Sequence, residues 1–416
     1  MIFATTYICI IAFHKFKLPI IAAAICILLA WPGLLSFPKA IAAVNWNVIM
    51  LFFGMLFMTE VLVISRAPAV LAEHLLARKV SAGGALLIVC LVSGFISAFV
   101  ENVAVVLLVA PVALAVTRRM KVSPVTVLIG VSVCSNLQGA ATLIGDPPSM
   151  LLANALNMNF VEFFWYHGKP GIFFAVELGA LVSAGVLWFF FRKYTGRTPE
   201  PVQEKIQGWL PVILMIVLAA GLALASVFIP EWEWSAGGIT LILGVVAAAW
   251  WRHRRDGVTF RTEVKRLDWG TGFFLIGIFI LVGSVIENGI MKLFIDHLAA
   301  LTGENLFIAY SLLVWGSVAL SAFVDNIPYV AAMLPVCAGI ALAMQVPVEL
   351  LAFGMVVGAS IGGNITPIGA SANIVAVGIA KKEGYHVSFR EFAAIGLPFT
   401  IAATVAAYIF LWFVWR

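Results

Sequence analysis

Apolar residues run along this chain in stretches of about 20, the length an α-helix needs to cross a bilayer at about 1.5 Å per residue. They fall near 1–13, 18–35, 46–65, 171–191, 209–229, 236–251, 269–288 and 393–415. Two short amphipathic pieces, 67–79 and 290–300, lie among them. The polar positions carry more information. The apolar pairs 82–100/103–117 and 305–324/327–344 break at Glu101-Asn102 and Asp325-Asn326, and the longer segments 123–157 and 349–380 are interrupted by glycine and polar residues. The alternation of a membrane β-barrel is absent.

The two sets of breaks are related. Residues 97–112, "SAFVENVAVVLLVAPV", match 321–336, "SAFVDNIPYVAAMLPV", at eight of sixteen positions, with Glu101 opposite Asp325. The same register pairs Gly139 with Gly363, Thr142 with Thr366 and Gly145 with Gly369, and one residue less pairs Trp46 with Trp269 and His74 with His297. Chance in apolar sequence would align Leu, Val and Ala. It would not align Asn, Pro, Thr, Gly and Trp, so the pattern reads as a duplication. The predicted organisation is a first repeat over 1–192, a cytoplasmic linker over 193–208 and a second repeat over 209–416. The hairpin tips lie near 101–102 and 325–326, and the broken helices near 136–149 and 360–373.

Composition agrees with this class, because 63% of the 416 residues are hydrophobic and 11% charged, against about 25% charged in a soluble domain. If each broken pair is a re-entrant hairpin, each repeat has five crossings, and the second repeat is inverted. All of the 25 Lys and Arg except Lys39, Lys169, Lys292 and Arg416 then fall on one side. The positive-inside rule makes that side cytoplasmic and both termini external, with "WWRHRRDG" (Trp250–Gly257) as an orientation anchor. The expected fold is an all-α polytopic membrane protein of two inverted repeats, each of about five transmembrane helices with a re-entrant hairpin and an interrupted helix. It is placed in the plasma (inner) membrane, in contact with lipid, and nothing suggests a nucleic-acid partner. The first 13 residues lack a basic leader region, which argues against a cleaved signal peptide and predicts a short span or a truncated start.

Inverted repeats with broken helices are the mark of secondary transporters. A carboxylate inside the membrane costs at least about 2.5 kcal/mol on insertion scales, which points to function. Glu101 and Asp325 are therefore predicted to bind an ion or proton, with Asn102 and Asn326 capping the helices that follow. The second breaks, "SNLQGAATLIGDPPSM" (Ser135–Met150) and "SIGGNITPIGASANI" (Ser360–Ile374), supply the remaining candidates: Asn136, Gly139, Thr142, Gly145, Asp146 and Ser149, then Gly363, Asn364, Thr366, Gly369, Ser371 and Asn373. Asp146-Pro147-Pro148 reads as the cap and first turn of a half-helix, whose N-terminus favours anions while unwound carbonyls suit a small cation. A Na⁺ would fit near Asn102, Thr142, Asn326 and Thr366. Glu60 is a secondary proton-carrier candidate, and Glu287, His74 and His297 read as interfacial. Scattered cysteines and six histidines form no metal or disulfide pattern, so no resident cofactor is expected beyond a coupling H⁺ or Na⁺. No Lys or Arg falls in the predicted core.

These segments resemble the arsenite permease/NhaD sodium–proton antiporter branch of the ion transporter superfamily, which includes relatives such as the melanosomal P protein and the divalent anion–sodium symporters. The resemblance rests on "SAFVENVAVVLLVAP", "GAATLIGDPPS", "SAFVDNIPYVAAMLP" and "GGNITPIGASANIVA" and spans nearly the whole chain. It implies a homodimer with an elevator-like transport domain moving against a scaffold. The dicarboxylate relatives carry Ser-Asn-Thr at their tips. Here the tips read Glu101-Asn102-Val103 and Asp325-Asn326-Ile327, and two acids would repel a dianion. The expectation is a proton- or sodium-coupled antiporter or efflux permease for arsenite, antimonite or Na⁺. The alternative is a Na⁺-coupled symporter of citrate, a dicarboxylate or an inorganic anion. A channel has no need of two acidic, capped hairpins. No nucleophile–base pair or metal-spaced histidines indicate an enzyme.

Overall fold

A computed structural model describes the chain apart from residues 1, 14–15, 32, 77–80, 197–204, 230, 233, 254–259, 261–263, 266, 290–294 and 296–304. The first half gives α1 (Ile2–Ala12), α2 (Lys17–Ala30), α3 (Phe37–Ala43), α4 (Trp46–Ser65), α5 (Ala67–Leu76), α6 (Ala82–Ser97), α7 (Asn102–Met120), α8 (Val125–Gly139), α9 (Pro147–Leu156) and α10 (Ile172–Phe191). The second gives α11 (Leu210–Phe228), α12 (Ser235–His253), α13 (Trp269–Glu287), α14 (Leu306–Ser321), α15 (Asn326–Met344), α16 (Val348–Gly362), α17 (Ser371–Lys382) and α18 (Phe389–Trp415). Among the described residues nine helices are long and apolar enough to cross a membrane, and α2, α6, α8 and α14 are shorter apolar helices.

The predicted breaks are all present. Helix α6 ends at Ser97 before α7, α14 ends at Ser321 before α15, and α8/α9 and α16/α17 are interrupted helices. Two features differ from the expectation. The span predicted over 18–35 stops at Ala30, and a short helix follows at Phe37–Ala43 with Pro38 in its first turn. A search for membrane-length stretches passes over so short an element. A tight hairpin pairs Trp165–Tyr166 with Lys169–Pro170 ahead of α10. The predicted piece 290–300 with His297, residues 77–79, residues 197–204 of the linker and the anchor from position 254 on lie outside the described residues, apart from Ile295.

Small residues permit the closest packing, as expected where lipid supplies no hydrophobic drive between helices. Helix α12 lies along α4, where a Cβ on Gly54 would enter the Thr240 carbonyl and one on Gly244 would meet the Gly54 backbone. Gly130 seats α8 on Cys90 of α6, and its repeat equivalent Gly354 seats α16 on Val314 and Tyr310 of α14. Helices α8 and α16 sit at the centre with nearly every side chain buried. Helix α10 runs along α18 beside them, and α11 and α12 lie at the periphery.

Candidate transport site

Both hairpin tips close with the same hydrogen bonds. Ser97 donates to Asn102 Oδ1 at 2.7 Å, and Ser321 donates to Asn326 Oδ1 at 2.5 Å. The hydroxyl of Thr142 donates to the Ala98 carbonyl, and that of Thr366 to the Ala322 carbonyl at 2.5 Å. Each interrupted helix is thereby stapled by its threonine to the turn of its own hairpin. The glycines explain why the chain can pass so close. A Cβ on Gly145 would strike the Gly139 and Ala98 carbonyls, and one on Gly369 would strike those of Gly363 and Ala322.

The caps differ from the sequence reading. Glu101 accepts from Ala104 N at 3.0 Å and Asp325 from Ile327 N at 3.3 Å, so the carboxylates are the N-caps. Asn102 and Asn326 are instead the first helical residues. An acid one position earlier already meets the exposed N–H groups and the positive helix end. Asp146 caps α9 as predicted, taking Ser149 N at 3.0 Å and Ser149 Oγ at 2.9 Å. The Asn102 side chain also bonds Asp146, which ties the first tip to the first half-helix.

A cavity of about 230 Å³ brings the two breaks together. Of the predicted residues it is lined by Glu101, Asn102, Asn136, Gly145, Asp146, Asp325, Asn326, Gly369 and Ser371. The others stand behind its wall. Thr142 and Thr366 form the staples, Ser149 donates to the Gly139 carbonyl at 3.2 Å, and Gly363 receives the Asn373 amide at 2.9 Å. Asn136 donates to Asn364 Oδ1 at 2.8 Å and to Asn373 Oδ1 at 2.9 Å, a buried amide cluster that joins the two halves. Glu60 also lines the cavity, whereas Glu287 pairs with Lys39 at the surface and His74 is exposed.

One expectation is overturned outright. Lys17 lies in the cavity, with Nζ 3.1 Å from Asp325 Oδ2 and 4.9 Å from the Phe274 ring centre. Read along the chain, it was one of the basic residues flanking a span. The reading also missed Thr59, Asp268 and Thr271, which line the same space. The Thr59 hydroxyl is buried and has no hydrogen-bond partner in the structure. Asp268 caps α13 by accepting from Thr271 N at 3.0 Å and from its hydroxyl at 2.6 Å. An Asp just before an apolar run is a legible cap signal, but nothing local places that cap beside the hairpin tips. Glu177 on α10, bonded to Gln138 away from the cavity, was also passed over.

Comparison with known proteins agrees with this architecture. Residues 8–358 match the sequence profile of the citrate transporter family. An uncharacterized transporter of Mycobacterium tuberculosis is 31% identical over 389 residues, covering 89% of this chain and 86% of its own. The human P protein is 26% identical over 403 residues, covering 78% of this chain and 48% of its own. The solved YdaH transporter of Alcanivorax borkumensis superposes with a TM-score of 0.59 at 16% identity, over 88% of this chain and 84% of that one. MtrF of Neisseria gonorrhoeae superposes with a TM-score of 0.55 at 16% identity, over 88% and 80%. With a family match over most of its length and a fold shared with solved transporters, this chain belongs to the citrate transporter family of the ion transporter superfamily, a group of multi-pass secondary transporters.

Proposed function

We propose that this transporter couples its cargo to a small cation held at the two hairpin tips, and that it works as a proton- or sodium-coupled antiporter of the arsenite permease/NhaD type. The carrying observation is the charge of the cavity. Among the described residues, Glu60, Glu101, Asp146, Asp268 and Asp325 line it against a single Lys17. Carboxylates in so small a space favour a cation strongly and disfavour a polyanion. The buried, unpartnered Thr59 hydroxyl adds a neutral oxygen for an ion or a hydroxylated neutral cargo.

A second reading, a Na⁺-coupled symporter of citrate or another anion, has an observation of its own. The N-cap of α17 is Ala370, so no side chain occupies its first N–H groups, and Gly369 to Ala372 line the cavity. Among the described lining residues, that helix end and Lys17 are the electropositive features available to an anion. An anion seated there would need co-bound cations to offset the surrounding acids.

Orientation is part of the proposal. Lys17 and Asp268 stand at helix starts that the basic-residue distribution assigns to the cytoplasm, and Glu60 lies in the last part of α4 toward the same side, which supports an inward-opening state. A homodimer and an elevator-like motion follow from the family resemblance. Cysteine labelling from each side tests the orientation: position 254 should react from the cytoplasm, and reaction from outside overturns the inverted arrangement. Proteoliposome flux of Na⁺, arsenite and citrate under an imposed pH gradient tests the activity. Na⁺ or arsenite movement driven by the proton gradient supports the antiporter. Citrate uptake that requires Na⁺ supports the symporter and overturns the first reading.

A further inference from the structure

The charge balance at the second hairpin tip has a consequence for how cations bind. Lys17 opens α2, where the positive helix end disfavours an ammonium. It is held there by Asp325 at 3.1 Å and by the Phe274 ring, with its side chain only 18% exposed. Asp325 Oδ1 takes the Ile327 N–H of its own helix, and Oδ2 takes Lys17. At the first tip no ion pair with Glu101 is found among the described residues. The pair also links α2 directly to the hairpin, beside the contacts that α13 makes with α15 and the bond from the Tyr7 hydroxyl to the Pro328 carbonyl at 2.7 Å. Helix α2 packs on α13, whereas Asp325 belongs to the hairpin that packs on the interrupted helix α16.

We infer that Lys17 is a tethered cation that occupies the Asp325 half of the site when no ion is bound, and that an entering monovalent cation must displace it. Displacement exchanges one positive charge for another at Oδ2, so the charge at the tip is conserved while the link between α2 and the hairpin is broken. Cation binding thereby loosens the hairpin from α2. Lys17 sets both the apparent affinity for the cation and its coupling to movement. The inference rests on the proposal that a cation binds at the hairpin tips.

A competitor that must be displaced lowers apparent affinity by the fraction of time it leaves the site vacant. If Lys17 occupies Asp325 about nine-tenths of the time, removing it tightens binding about tenfold. The test is equilibrium binding of ²²Na⁺ to purified full-length protein at fixed pH, alongside Na⁺ flux in proteoliposomes. The variants are Lys17→Gln, Lys17→Arg and Asp325→Asn. The expected result is a Na⁺ dissociation constant about tenfold lower in Lys17→Gln, near wild type in Lys17→Arg, and Na⁺ binding lost in Asp325→Asn. A structural role for Lys17 would move Lys17→Gln the other way, toward weaker binding or a lower melting temperature. Unchanged or weaker Na⁺ binding in folded Lys17→Gln, with Asp325→Asn still defective, overturns the tethered cation and leaves the hairpin site standing. Wild-type binding and flux in Asp325→Asn overturns the hairpin site itself, and the inference with it.

Discussion

The tips at Glu101 and Asp325 share a backbone design and differ in the company their carboxylates keep. In both, a serine holds the asparagine, a threonine staples the turn, a glycine lets two carbonyls approach and the acid caps the following helix. Around them the halves diverge. The half-helix beside the first tip begins with Asp146, and its counterpart begins with Ala370. Lys17 meets only the second tip. Asn136, at the equivalent position to Ser360, holds the other half through Asn364 and Asn373, whereas the Ser360 hydroxyl has no partner in the structure. Duplication has kept the device that bends the chain and changed the groups that set charge. A symmetric scaffold can thus present two unequal half-sites to one cargo.

The largest expected effect tests the shared part. Gly145→Val and Gly369→Val each drive a side chain into two backbone carbonyls that cannot move aside. Each should abolish flux and lower stability by about 3 kcal/mol, the upper end for overpacking. Flux and thermal melting measured together check this. A tolerated valine in one half alone would show that the two turns are not equivalent.

Neutralising the acids tests the divergent part. Asp325→Asn removes the partner of Lys17 and should cut cation-driven flux at least about tenfold, or 1.4 kcal/mol at the barrier. Glu101→Gln keeps its capping oxygen and disturbs no ion pair among the described residues, so its loss should be smaller. Initial rates in proteoliposomes decide the order, and the reverse order would transfer the dominant role to the first tip.

A last comparison sets Asn136 against Ser360 and ends on the smallest expected effect. Asn136→Ala breaks two buried bonds between the halves and leaves Asn364 and Asn373 oxygens without that donor. A loss of about 2–3 kcal/mol in folded stability is expected. Ser360→Ala removes a hydroxyl with no partner and should change stability by less than about 0.5 kcal/mol. Equal losses in a denaturation series would mean that the amide cluster does not join the halves.

Much of this molecule was legible residue by residue. Apolar runs, glycine–polar breaks and the 97–112/321–336 match are local or periodic signals, and they placed both hairpins and both interrupted helices within a few residues. Asp146-Pro147-Pro148 announced its half-helix because a cap and a fixed φ act on their own neighbours. The same local rules misassigned the caps at the tips, since Asn and the acid before it are both good caps and only the turn geometry chooses between them. Lys17, Thr59, Asp268 and the Asn136–Asn364–Asn373 cluster were not legible as a site. Each sits in a segment whose own pattern is satisfied by a simpler reading, as a flanking charge, a span residue, a helix cap or a break residue. Sequence by itself determined the class, the duplication and the points where the helices break, because burial in lipid and backbone sterics act locally. Tertiary structure alone decided which charges face one another, because contact across some 300 residues of chain, as between Lys17 and Asp325, depends on how the two halves pack and leaves no periodic trace.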